Sequence, residues 1–213
     1  MLVLIYKQNG KNLLFPAARN ESEMSRELFV SETNKLVSAG ILKSESDKFL
    51  LTEPYASFVD GITGADILIS ASSSNSNETP QHFAYFGANG MVCIEAALTR
   101  PGKFRISSGG YNEWYENVCG LFGVAPTDRT DTADGLFKPK EIFSEEYVAG
   151  SLKIADSISG DLLLTAEISD AFPYPTVRCT LADGRVSITN FDRDGMLGII
   201  SDCLKGRTSY DFG

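Results

Sequence analysis

The sequence predicts an α+β fold: antiparallel sheet meanders with flanking helices, arranged as two quasi-symmetric halves. Three observations predict it. Short apolar runs bounded by turn residues recur through both halves of the chain. Apolar stripes at helical spacing lie between and after them. And one motif is echoed: Ala65-Asp66-Ile67-Leu68-Ile69-Ser70-Ala71 by Gly160-Asp161-Leu162-Leu163-Leu164-Thr165-Ala166, then Ala88-Asn89-Gly90-Met91-Val92-Cys93-Ile94 by Ala182-Asp183-Gly184-Arg185-Val186-Ser187-Ile188. The order is the same in both places, which suggests two halves related by a pseudo-twofold axis.

Taken in order, Leu2 to Tyr6 and Lys11 to Phe15 flank Asn9-Gly10, a pair that favours a type I′ hairpin because both central residues need positive φ. From Ser22 the period becomes helical, with Met24, Leu28, Leu36 and Val37 on one face and Gly40 as the left-handed terminator. A polar turn from Lys43 to Asp47 precedes a short strand at Phe49-Leu50-Leu51. Thr52 is placed to cap a second helix, with Pro54 in its first turn and Tyr55, Phe58 and Ile62 on one face. This outline matches part of a winged-helix unit.

The first meander then runs through Asp66 to Ala71, a Ser/Asn-rich loop at Ser72 to Pro80, His82 to Phe86, Met91 to Thr99 and Lys103 to Ser107. Gly109-Gly110 opens a helix carrying Trp114, Tyr115, Val118 and Cys119. Ala125 to Gly135, rich in Asp, Arg and Thr, reads as a linker. A helix is expected from about Ser144, with Tyr147, Ser151, Ile154 and Ile158 as its stripe. The second meander comprises Asp161 to Ile168, Thr176 to Leu181 and Arg185 to Asn190, and a helix from Asp194 to Leu204 closes it. The expected organisation is therefore an N-terminal half over 1–124, a linker over 125–135, a C-terminal half over 136–206 and a tail over 207–213.

Composition narrows the function classes. The chain has 213 residues, 43% hydrophobic, which suffices for a sizeable core. Its formal net charge is -9, from 19 Lys+Arg against 28 Asp+Glu, and no run of basic residues offsets it. A nucleic-acid partner is not expected, because such a surface repels phosphate backbones. No apolar segment approaches bilayer length, so no membrane partner is expected and a cytoplasmic location is. Cys93, Cys119, Cys179 and Cys203 form no CxxC pair and read as buried thiols in a reducing compartment.

Candidate chemistry is sparse. Asn190-Phe191-Asp192-Arg193-Asp194-Gly195 resembles the start of a calcium loop, but the twelfth position is Ser201 instead of a bidentate Glu. The simpler reading is a strand-to-helix turn in which Asp192 or Asp194 caps the last helix. His82 is the only histidine, and no Gly-x-Ser-x-Gly elbow accompanies it. Gly120-Leu121-Phe122-Gly123 lacks the Lys-Ser/Thr of a phosphate loop. Gly109-Gly110 could hold an anion, although Glu113 would occupy that place itself. Glu95, Glu113 and Glu116 cannot be assigned to opposed acid and base roles. No catalytic residue, metal or cofactor is assigned. Tyr111, Trp114 and Tyr115 could share one helical face, either as core packing or as a partner-binding patch.

Leu36-Val37-Ser38-Ala39-Gly40-Ile41-Leu42, then Phe49-Leu50-Leu51-Thr52, a short helix and the Asp66 to Ala71 strand resemble one region of the EspG family, cytosolic chaperones of type VII (ESX) secretion. The resemblance rests on apolar pattern and covers the first half of the chain. It implies a quasi-twofold α+β architecture, with an exposed sheet surface and neighbouring loops holding the helical tip of a PE–PPE substrate pair. The long loops of the mycobacterial proteins have no counterpart here, so substrate identity does not transfer. The expected function is a non-enzymatic cytoplasmic module that binds a protein partner. A winged-helix-like regulator and an enzyme with an acidic site are the alternatives. The helix from Glu53 carries no Arg, Lys, Asn or Gln to read base edges.

Overall fold

The structure, a computed structural model, describes residues 25–46, 48–76, 80–88, 90–96, 104–128, 143, 146–170 and 174–204. The expected hairpin at Leu2 to Phe15 and the tail over 207–213 lie outside the described residues, as does most of the 125–135 linker.

Helix α1 (Arg26–Ser38) begins where the Ser25 hydroxyl accepts from Leu28 N at 3.2 Å. It ends in a Schellman motif. Gly40 takes φ +71°, its N–H donates to Val37 O, and Ile41 N donates to Leu36 O at 2.9 Å. The polar turn expected at Lys43 to Asp47 is shorter than its sequence suggests: β1 (Leu42–Glu45) and β2 (Lys48–Leu51) pair antiparallel as a hairpin. Helix α2 (Tyr55–Thr63) follows, with Val59 and Ile62 buried. Thr52 does not cap it. Its hydroxyl donates back to Gly40 O at 2.5 Å, tying the hairpin to the end of α1.

Among the described residues, the remaining strands form one eight-stranded antiparallel sheet. The first half supplies β3 (Ala65–Ser73), β4 (His82–Gly87), β5 (Gly90–Ala96) and β6 (Phe104–Gly109), followed by α3 (Tyr111–Phe122). The second supplies β7 (Val148–Asp156), β8 (Leu162–Ser169), β9 (Thr176–Leu181) and β10 (Val186–Asn190), followed by α4 (Arg193–Leu204). The spatial order is β10-β9-β8-β7-β3-β4-β5-β6. From the β3–β7 pair at the centre, each half runs outward through four consecutive strands and then into a helix. This is a quasi-twofold α+β architecture.

Two expectations are corrected. Where a helix from about Ser144 is expected, Val148–Asp156 is strand β7. Gly150, Leu152 and Ile154 alternate with Ser151 and Lys153, and β3 and β8 on either side satisfy the backbone. Because that segment is a strand, the echoed motif joins non-equivalent places. Asp66 is the second residue of β3 at the centre of the sheet, whereas Asp161 leads into β8, one strand further out. The turns at Gly90 and Gly184 are displaced by one strand in the same direction. Both have positive φ, +99° and +85°, so the likeness reflects the shared chemistry of amphipathic hairpins. The halves do recur, but as β3 with β7, not β3 with β8.

The core lies on the inner face of the sheet, under α3 and α4. Ile67, Ile69, Ala84, Phe86, Leu152, Ile154, Ala166 and Cys179 meet Trp114, Tyr115, Val118, Met196 and Ile200 there. A smaller cluster lies on the outer face of the first half, where α2 covers Leu68, Phe83, Tyr85, Val92 and Ile94. Gly61 lets α2 approach closely. A Cβ on it would stand 2.5 Å from Val92 Cγ2.

Candidate binding face

The two halves differ on the outer face. In the first, β4 is buried along its whole length, because α3 covers one side and α2 the other. In the second, the strands alternate between an apolar inner side and a polar outer side. The register places Ser72, Ser151, Glu167, Arg178 and Ile188 in one row across β3, β7, β8, β9 and β10. The next row is Ser70, Lys153, Thr165, Thr180 and Val186. With strands about 4.8 Å apart, each row spans roughly 19 Å, enough to seat a helix about 10 Å wide.

A groove of about 740 Å³ opens on this side, lined among the described residues by Ser72, Ser74, Phe143, Ser151, Thr165 and Arg178, with Lys153 and Glu167 at hand. The Arg178 guanidinium pairs with the Glu167 carboxylate and lies over the Phe143 ring, 4.7 Å from its centroid. Lys153 has no ion-pair partner among the described residues. The centre of the face is therefore rich in hydroxyls with one unpaired ammonium. Its margin is apolar, at Val186 and Ile188, 59% and 41% exposed. Sequence reasoning missed this face. The signal for it was the alternation Val177-Arg178-Cys179-Thr180, which marks a strand covered on one side only.

The aromatic trio is not at the surface. Tyr111, Trp114 and Tyr115 are 4%, 1% and 0% exposed. Trp114 meets Phe86 edge to face with centroids 5.7 Å apart, and Tyr115 lies 5.7 Å from Phe191. The Tyr111 hydroxyl donates to Arg193 O at 2.6 Å. Burial raises the Tyr115 hydroxyl to about 12. The trio joins α3 to the start of α4, so core packing replaces the partner-binding role.

The other candidates are placed as follows. Asp192 Oδ1 accepts from Gly195 N at 2.7 Å, capping α4 as the simpler reading of that turn expected. Phe191 is in the core and Ser201 lies inside the helix, so the segment is not arranged as a calcium loop. Gly120-Leu121-Phe122-Gly123 is the end of α3, with Gly123 left-handed at φ +72°. Glu113 folds against Gly109 at the start of that helix. Glu116 pairs with Arg193 at 3.4 Å, and Glu95 lies 3.5 Å from His82 Nε2. The three acids thus face three different neighbours. Burial pushes the Cys93 thiol up to about 12 and the Cys179 thiol up to about 11, and Cys119 is buried as well. These thiols are inert at neutral pH. Cys203 is half-buried.

His82 lies on the inner face, opposite Glu95 in the register, so the sheet separates it from the groove. Desolvation lowers its pKa below 6.5, and Glu95 partly opposes the shift. The unfolded chain therefore takes up this proton first as the pH falls, and stability is lost from about pH 6.5 downward. A plot of Tm against pH between 7 and 5 is expected to slope less in His82→Gln than in the parent. It should slope more in Glu95→Gln, which lacks the opposing charge. Parallel slopes in all three would refute this assignment.

No helix among the described residues is long and apolar enough to cross a membrane. No protein-family model matches the chain, and no curated protein matches it in sequence.

Proposed function

We propose that the protein is a non-enzymatic protein-binding module, a cytoplasmic adaptor of the secretion-chaperone kind that the EspG resemblance implies. One observation carries this reading. The same sheet has the same outer face in both halves. In the first half that face is apolar and α2 lies on it. In the second it is polar with an apolar margin, and no helix among the described residues lies on it. The arrangement suits a partner helix laid across the second half as α2 is laid across the first. Specificity would come from Lys153 and the hydroxyl rows, and contact area from Val186 and Ile188.

The winged-helix alternative is less well supported, because the exposed positions of α2, Tyr55, Ser57 and Asp60, carry no basic or amide side chain to read base edges.

The test is position-dependent photocrosslinking. A photoreactive side chain in place of Lys153 or Ile188 should form the same protein adduct in the native host. One in place of Asn112, on the outside of α3, should form none. Lys153→Glu should diminish the adduct formed from position 188. Equal labelling at all three positions, or none at any, contradicts the proposal.

A further inference from the structure

The strand at the end of the second half has a property that its counterpart at the other end lacks. Leu181 N donates to Arg185 O at 2.9 Å, and Phe191 N donates to Pro175 O at 2.8 Å. These bonds bracket β10, whose register on β9 is continuous. In an antiparallel pair, hydrogen bonding to a given neighbour recurs at every second residue. Ser187 and Thr189 therefore bond to β9, and the backbone N–H and C=O groups of Val186 and Ile188 point out of the sheet. Among the described residues no strand lies beyond β10.

Sheets commonly protect such an edge with charge, proline or a bulge. Val186-Ser187-Ile188-Thr189-Asn190 has none of these. At the other end, β6 carries Arg105, whose side chain is 74% exposed and faces Glu95 at 4.0 Å. One edge is charged. Among the described residues, the other presents unpaired backbone groups between two exposed aliphatic side chains.

We infer that β10 accepts an added strand: an extended segment of a protein partner with aliphatic or β-branched side chains at alternate positions. Its main chain would bond to Val186 and Ile188, and its apolar side chains would continue the outer-face rows that end there. A second copy of this chain is the less suitable occupant. A five-residue edge paired with itself falls well short of the roughly 1,200 Å² that a stable interface buries. Each copy would also bring a net charge of -9. The inference rests on the protein-binding reading and specifies the backbone part of the partner.

The test uses the full chain labelled with nitrogen-15 and a capped hexapeptide alternating threonine and valine, with a glycine–serine hexapeptide as control. The alternating peptide should shift the Val186 and Ile188 amide signals saturably, and the control should not. Ile188→Pro removes an outward-facing N–H and part of the apolar side chain, and it leaves the bonds of Ser187 and Thr189 to β9 in place. It should weaken binding about tenfold or more. If that variant does not fold, Ile188→Lys, which charges the edge while keeping the N–H, should weaken binding instead. Absence of shifts at millimolar peptide, shifts confined to other surfaces, undiminished affinity in the variants, or concentration-dependent dimers abolished by Ile188→Lys would each overturn the inference. Crosslinks from position 153 alongside any of these results would leave the protein-binding reading standing and remove only the added strand.

Discussion

Trp114→Ala is expected to destabilise the fold by about 3–5 kcal/mol, the range for emptying a fully buried aromatic site. The indole is 1% exposed, meets Phe86 edge to face and lies 5.7 Å from the Tyr111 ring. Val118 and Tyr115 continue the same packed helix face, so little can move in to fill the space. The indole N–H meets no acceptor among the described residues. Trp114→Phe should therefore cost much less than the alanine, since it gives up volume without breaking a hydrogen bond. Urea unfolding of the three proteins measures both differences. The partner-binding reading of this residue predicts the reverse pattern: stability within about 0.5 kcal/mol of the parent, as at an ordinary surface site, with binding lost.

Gly150→Val should be the second severe change, and its sign is informative. Valine is a better strand former than glycine, so propensity alone predicts a gain at this position in β7. The packing predicts a loss. A Cβ there would overlap the Phe122 ring and stand 2.6 Å from Ser72 O. A ring can rotate, but a carbonyl in the central strand cannot retreat without disturbing the ladder. Overpacking of this kind costs about 1–3 kcal/mol, and the two methyl groups of valine place the effect at the upper end. Phe122→Leu in the same chain should relieve part of it, so the double variant should lose less stability than the two single losses added together. Strict additivity, or a rise in Tm for Gly150→Val, would show that the ring yields freely.

Both sites bear on how far the sequence could be read. The face shared by Tyr111, Trp114, Tyr115 and Val118 was legible from helical spacing, and Val118 pointed to its burial. The Gly40 terminator was legible, and the cap of α4 was narrowed to Asp192 or Asp194, because each is a local hydrogen-bonding pattern completed within a few residues. The Gly90 and Gly184 turns were legible because positive φ strongly selects glycine. The segment from Tyr147 to Ile158 was not legible in this way. Its apolar residues satisfy a helical stripe and a two-residue alternation equally well, and β3 and β8 decide between them by supplying backbone partners on both sides. That one ambiguity displaced the alignment of the halves by a strand.

What the sequence by itself determined, then, is the α+β class, the glycine turns, the Gly40 terminator and the recurrence of meander and helix, all of which arise from interactions between near neighbours in the chain. Tertiary structure alone decided which strands stand at the centre and which of two similar sheet faces receives a helix. Ser151, Lys153, Thr165 and Arg178 are separate polar residues along the chain. They become one surface only when β7, β8 and β9 pair in register, because a sheet assembles its faces across strands.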